Sequence, residues 1–234
     1  MDSMIDILLI EDEPDLGALL SLYLQNKGFR VSWKLTAESA LQEFAAISCR
    51  LVIIDVQLPD GDGFSVARRV KERVPLQPIF FLTALGGKEN RKKGLELGAF
   101  DYIEKPFEMD ELMLKIMNVI HFSATKDAAP SVKTSIHLGE IVVDPDRLFL
   151  TYPNGEKKNM TLREAEILTY LLEHKNELVL KKDLLLRFWG NTDYFNGKSL
   201  EVFISRIRKL LKADPTVVIE SIYGAGYILN VNKN

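Results

Sequence analysis

With 234 residues, a formal net charge of -3 and a mean hydropathy near zero, the chain is sized for two ordinary domains, and no apolar run approaches the roughly 20 residues of a membrane span. Its one cysteine, Cys49, excludes an internal disulfide and a cysteine-based metal site. The apolar run at residues 5–10 is too short for a secretion signal, lacks a basic flank and leads straight into Glu11, Asp12 and Glu13, so a cytoplasmic protein is expected.

In chain order the first half alternates apolar runs with amphipathic stretches: 5–10 then 15–27, 29–33 then 37–46, 51–56 then 64–72, 78–83 then 88–97, and 101–106 then 109–122. Five strand and helix units follow. Near-continuous apolar strands suit a parallel sheet covered on both faces, which predicts a doubly wound α/β domain over 1–122. Gly28 and Gly98 each stand just past a helical stretch, where a left-handed cap favours glycine. Residues 123–135, SATKDAAPSVKTS, have the composition of a linker.

Residues 136–234 predict an α+β domain. Short β-like segments at 136–144, 147–152 and 157–160 are separated by turn residues and form a small antiparallel sheet. Thr161 with Glu164 is a capping box opening a helix to about Lys175. Further helices fit 181–189 and 198–212, and strands 217–222 and 227–231 close a hairpin around Gly224-Ala225-Gly226. Charge supports a division of labour. Residues 1–120 carry 14 Lys/Arg against 19 Asp/Glu and residues 121–234 carry 16 against 14, so the second half is the one suited to nucleic acid.

Ligands of open α/β sheets bind at the carboxyl ends of the strands. There the chain places Glu11 and Asp12, Asp55, Thr83 and Lys105. Clustered carboxylates raise one another's pKa unless a cation sits among them, and a hard, oxygen-seeking ion such as Mg²⁺ suits that place. With a cation and the Lys105 ammonium neutralising a phosphoryl group, an Asp55 carboxylate can act as nucleophile and become an aspartyl phosphate. In the second half, Leu200, Ile204, Ile207 and Leu211 recur at helical spacing, while 198–212 hold five Lys/Arg and one acid, Glu201. Such a helix suits the major groove of DNA.

The segments LLIEDE, VIIDVQLPDGDG, FLTA and GAFDYIEKPF resemble the receiver domain of two-component response regulators. The segments TLREAEIL, Trp189-Gly190, SLEVFISRIRKLL and IYGAGYIL resemble the winged-helix effector domain of the OmpR/PhoB subfamily. The resemblance implies a phosphorylation-controlled, DNA-binding transcriptional regulator rather than a metabolic enzyme, one that catalyses only its own phosphorylation and dephosphorylation. Asp55 would be the phosphoacceptor, with Glu11, Asp12, Asp55 and the backbone carbonyl of Gln57 holding Mg²⁺. Lys105 and Thr83 would contact the phosphoryl group, and Thr83 with Tyr102 would form a switch in which Tyr102 rotates inward. Implied partners are a sensor histidine kinase, double-stranded promoter DNA and, on phosphorylation, a second copy of the chain. Residues 191–196 match a loop that meets RNA polymerase in some relatives.

Position on the recognition helix assigns Arg206 to a base edge, Phe203 to the groove floor against a thymine methyl, and Lys198, Ser199, Ser205 and Arg208 to phosphates. Tyr223 stands in the wing where an arginine is common. Phe100 replaces a common aspartate and Lys115 a common arginine on the dimer face. Two rival functions share the motifs. A metal-dependent phosphotransferase would need a substrate loop and a separate general acid, which residues 1–121 do not offer. A phosphorylation-independent DNA-binding protein would have no need of the acid cluster and Lys105.

Overall fold

A computed structural model of the chain describes residues 4–84, 88–125, 135–192 and 194–231. It divides into two compact units, Met1–Ala128 and Ala129–Asn234, each with its own core. Among the described residues no helix is long and apolar enough to cross a membrane.

The first unit alternates β1 (Ile5–Ile10), α1 (Pro14–Asn26), β2 (Val31–Lys34), α2 (Ala37–Ala46) and β3 (Cys49–Asp55). A two-residue ladder, β4 (Gln57–Leu58) with β5 (Gly61–Asp62), leads into α3 (Gly63–Arg73), β6 (Ile79–Thr83), α4 (Lys88–Glu96), β7 (Asp101–Glu104) and α5 (Met109–Thr125). The five long strands form one parallel sheet in the order β2-β1-β3-β6-β7, the doubly wound arrangement expected. Ile7 to Ile10, Leu51 to Ile54 and Phe80 to Leu82 are fully buried, because helices cover both faces of the sheet. Gly28 and Gly98 adopt φ of 92° and 85° just past α1 and α4, the left-handed conformation that glycine adopts without a Cβ penalty. Helix α5 runs to Thr125, into the stretch expected to be linker, because Ser123 to Thr125 offer no breaker; residues 126–134 lie outside the described residues.

The second unit opens with a four-stranded antiparallel sheet, β8 (Ile136–Leu138), β9 (Ile141–Asp144), β10 (Phe149–Thr151) and β11 (Lys157–Asn159), in the order β11-β10-β9-β8. The segment expected as one strand over 136–144 is split at Gly139, whose φ of 60° turns the chain. Helix α6 (Leu162–Glu173) carries the expected capping box: the Thr161 hydroxyl accepts from the Glu164 N–H while the Glu164 carboxylate accepts from the Thr161 N–H. Then come β12 (Leu178–Leu180), α7 (Lys181–Trp189), α8 (Tyr194–Leu211), β13 (Val217–Ile222) and β14 (Gly226–Val231). Strand β12 was not foreseen. It pairs with β14 and makes the terminal hairpin a three-stranded sheet, β12-β14-β13. Helix α8 also starts before Lys198, since the Asn196 amide donates to Asn191 Oδ1 at 2.6 Å and holds its first turn.

Candidate functional site

The carboxyl ends of β1, β3, β6 and β7 converge on one pocket in the first unit. Glu11, Asp12 and Asp55 each offer a carboxylate oxygen within 4.8 Å of the others. The Lys105 ammonium donates to Asp55 Oδ2 at 2.6 Å, to Glu11 Oε1 at 2.8 Å and to Glu13 Oε1 at 3.0 Å. Burial pulls the Lys105 pKa down, but these three bonds outweigh it and hold the pKa above the usual lysine range. Glu11 is pushed up to about 7, chiefly by burial and further by the Asp55 charge, against the Lys105 bond that lowers it. Its Oε2 is buried without a hydrogen-bond partner. An acceptor left in that state is expensive unless a cation or donor meets it. The donor set is all oxygen and strongly acidic, which fits a hard divalent cation.

Local structure explains the placement. Trp33 of β2 donates its indole N–H to the Glu11 carbonyl at 2.8 Å and lies over Gly17 of α1, where an added Cβ would come within 2.3 Å of the indole. Behind the acid, Gly63 lets α3 start against the backbone of Asp55; a Cβ there would stand 2.2 Å from the Asp55 carbonyl oxygen. Asp55 Oδ1 accepts from the Gln57 N–H at 2.9 Å. Asp60, in the same loop, accepts from the N–H groups of Ala37 and Glu38 at 2.8 and 2.9 Å, which fixes the start of α2. Glu13 and Trp33 were missed by sequence reasoning. Glu13 is visible as the third acid of LLIEDE, but only the fold brings it onto Lys105.

Thr83 is fully buried and Tyr102 nearly so, and a side-chain hydrogen bond joins them. Tyr102 therefore stands already inward, with its ring 6.0 Å from that of Phe81 and the Arg91 guanidinium 5.9 Å from its centre. The expected inward rotation has no room left to occur from this state. Phe100 is buried against Phe80, ring centres 5.6 Å apart. Lys115 pairs with Asp101 at 2.7 Å within its own unit.

In the second unit the expected core stripe of α8, Leu200, Ile204, Ile207 and Leu211, is buried. Two contact assignments fall with it. Phe203 is fully buried against Trp189, ring centres 6.1 Å apart, so it is core and cannot lie on a groove floor. Ser199 is likewise fully buried and cannot reach a phosphate. Arg206 is also corrected. Its guanidinium is bound to Glu164 of α6, a carboxylate that is almost wholly buried, so it ties two helices together instead of projecting toward bases. Arg208 donates from Nε to the Ile219 carbonyl at 2.9 Å and from Nη2 to Ser221 Oγ at 2.7 Å. Lys198 and Ser205 are exposed, with Lys209 on the same side, and Tyr223 stands fully exposed at the hairpin tip.

Comparison with known proteins agrees with both units. Residues 7–117 match the family described as "Response regulator receiver domain", and residues 155–229 match "Transcriptional regulatory protein, C terminal". The chain is 35% identical over 229 residues to the transcriptional regulatory protein RprY of Bacteroides fragilis, covering 98% of this chain and 96% of that one. It belongs to the OmpR/PhoB family of two-component response regulators. The transcriptional regulatory protein CssR of Bacillus subtilis is 34% identical, with 94% of this chain and 96% of that one covered. Among solved structures, the response regulator DrrB of Thermotoga maritima, an OmpR/PhoB homologue, is 29% identical with a TM-score of 0.51, covering 97% of this chain and 99% of that one. As a response regulator the chain is a receiver joined to a DNA-binding unit and acts as a transcription regulator rather than as a classical enzyme. Its family implies a sensor kinase and DNA as partners.

Proposed function

We propose that Asp55 is the phosphoacceptor of this response regulator, and that phosphorylation there controls DNA binding by the second unit. The observation that carries the reading is the Lys105 ammonium 2.6 Å from Asp55 Oδ2, beside Glu11 and Asp12. Glu11, Asp12, Asp55 and the Gln57 carbonyl would hold Mg²⁺, which when bound neutralises charge on a phosphoryl group and its donor. An Asp55 carboxylate oxygen attacks the phosphorus of a phosphohistidine on the sensor histidine kinase, or of a small donor, as the donor's bond to phosphorus breaks. Lys105 releases Asp55 and meets the phosphoryl oxygens. Thr83 gives up its bond to Tyr102 and donates to another. The only chemistry assigned to the receiver is this transfer and its hydrolytic reversal.

On the DNA side Lys198, Ser205 and Arg208 are assigned to the duplex, with Lys209 beside them and Tyr223 at the edge of the adjoining groove. The receiver ends with α5 and the effector begins with β8, and the residues between join them. Phosphorylation brings two receivers together as a homodimer, and the 191–196 segment is offered to RNA polymerase. A chain that meets promoter DNA in this way works in the cytoplasm.

The test is incorporation of phosphate from a small phosphodonor with Mg²⁺ present. The wild-type chain should label, and Asp55→Asn should not. Undiminished labelling of Asp55→Asn would sink the assignment. So would equal labelling of the wild type after Mg²⁺ is chelated.

A further inference from the structure

Two lysines near the starts of α7 and α8 do not point freely at a ligand. Lys181, the first residue of α7, places its ammonium 2.9 Å from Glu201 Oε1, and Lys198 places its own 2.7 Å from Glu201 Oε2. Each carboxylate oxygen is thus held by one lysine. Although burial raises the Glu201 pKa, the two lysine bonds outweigh it and hold it below the usual range. Gly197 lies beside the pair, its Cβ position 3.4 Å from Lys181 Nζ. With Lys182, Gly224 and Ala225 these groups line an open depression of about 790 Å³ between the start of α7, the start of α8 and the terminal hairpin.

A carboxylate and a phosphodiester are alike in the feature that counts here. Each is a monoanion that offers two oxygens, and both form charge-assisted bonds with ammonium groups at these distances. We propose that Glu201 is an internal stand-in for a DNA phosphate. It occupies Lys181 and Lys198 in the free protein, and a backbone phosphate must displace it or share the lysines with it. Glu201 thereby sets the strength of the sequence-independent part of DNA binding, which is almost wholly electrostatic. The inference rests on the second unit binding DNA.

The same position has another chemical use, because a glutamate in the major groove can accept from a cytosine amino group. The two roles differ in sign. If Glu201 restrains the lysines, Glu201→Gln should tighten cognate and scrambled duplexes alike, on the order of tenfold near 0.1 M salt, and steepen the salt dependence by about one unit of slope. The gain should vanish when Lys181 and Lys198 are both replaced by glutamine, because nothing is then left to release. Glu201 is about half-exposed, and Gln keeps its shape, so the variant should fold; circular dichroism checks this.

The measurement is a salt series on both duplexes for the wild type, Glu201→Gln, Lys181→Gln/Lys198→Gln and the triple variant. Selective loss on the cognate duplex would assign Glu201 to a base instead and overturn the proposal. Unchanged affinity on both would show two inert surface pairs and overturn it equally. Absence of binding by the wild type to either duplex would overturn the DNA-binding reading and this inference with it, a result distinct from failure of Glu201→Gln alone.

Discussion

Lys105 is shared by three carboxylates, and its neighbour Glu11 keeps its proton up to about 7. An unfolded glutamate releases its proton near the ordinary 4.5, so between these values the folded chain binds more protons than the unfolded one. The metal-free protein should therefore lose stability as pH rises from about 5 to about 7. Glu11→Gln should flatten that dependence, and Mg²⁺ at pH 7 should restore stability by meeting the ionised carboxylate. Denaturant midpoints at the two pH values check all three; a wild-type dependence unchanged in Glu11→Gln would place the titration elsewhere. Gly63 belongs to the same scale. Its Cβ would stand 2.2 Å from the Asp55 carbonyl oxygen, and backbone cannot yield as a side chain does. Gly63→Ala should destabilise the chain by about 1 to 3 kcal/mol and slow phosphate incorporation, whereas a variant with wild-type stability and labelling would show that the loop relaxes freely.

At the scale of elements, α8 teaches where helical reasoning succeeds and where it slips. Leu200, Ile204, Ile207 and Leu211 were legible as the buried stripe because apolar side chains at that spacing share one face. Arg206 was assigned to a base edge, yet at about 100° per residue it falls on the flank of that stripe and not opposite it. The row directly opposite is Lys198, Val202, Ser205 and Lys209, which repeats the stripe's spacing two residues earlier, and its Lys and Ser members are exposed. What no spacing could disclose is the acid waiting for Arg206, since Glu164 lies on another helix. Arg206→Ala should therefore leave a buried carboxylate unpaired and cost about 1 to 3 kcal/mol of stability, with cognate and scrambled duplexes affected alike. A selective loss on the cognate duplex with stability intact would return Arg206 to base reading. Strand β12 escaped for a related reason: three residues, LVL, carry no period of their own, and only β14 makes them a strand.

Across the whole molecule, the parallel sheet, the acid pocket and the basic helix were each legible because their signals are local: apolar runs, acids at strand ends, and charge opposite a stripe. The inward state of Tyr102 was not, because it depends on Phe81 and Thr83 of β6 and on Arg91 of α4, two elements other than its own. Phe100 in the core and Lys115 bound to Asp101 remove two groups from the proposed pairing of receivers, so under that proposal the coupling between phosphorylation and DNA binding should be modest, about 1 to 3 kcal/mol. The most direct test of the account is the affinity of the full chain for a cognate duplex, with and without a small phosphodonor and Mg²⁺, alongside Asp55→Asn. Phosphorylation should tighten wild-type binding by roughly 5- to 150-fold and leave Asp55→Asn unchanged, whereas equal affinity of the phosphorylated and unphosphorylated wild type would contradict the account.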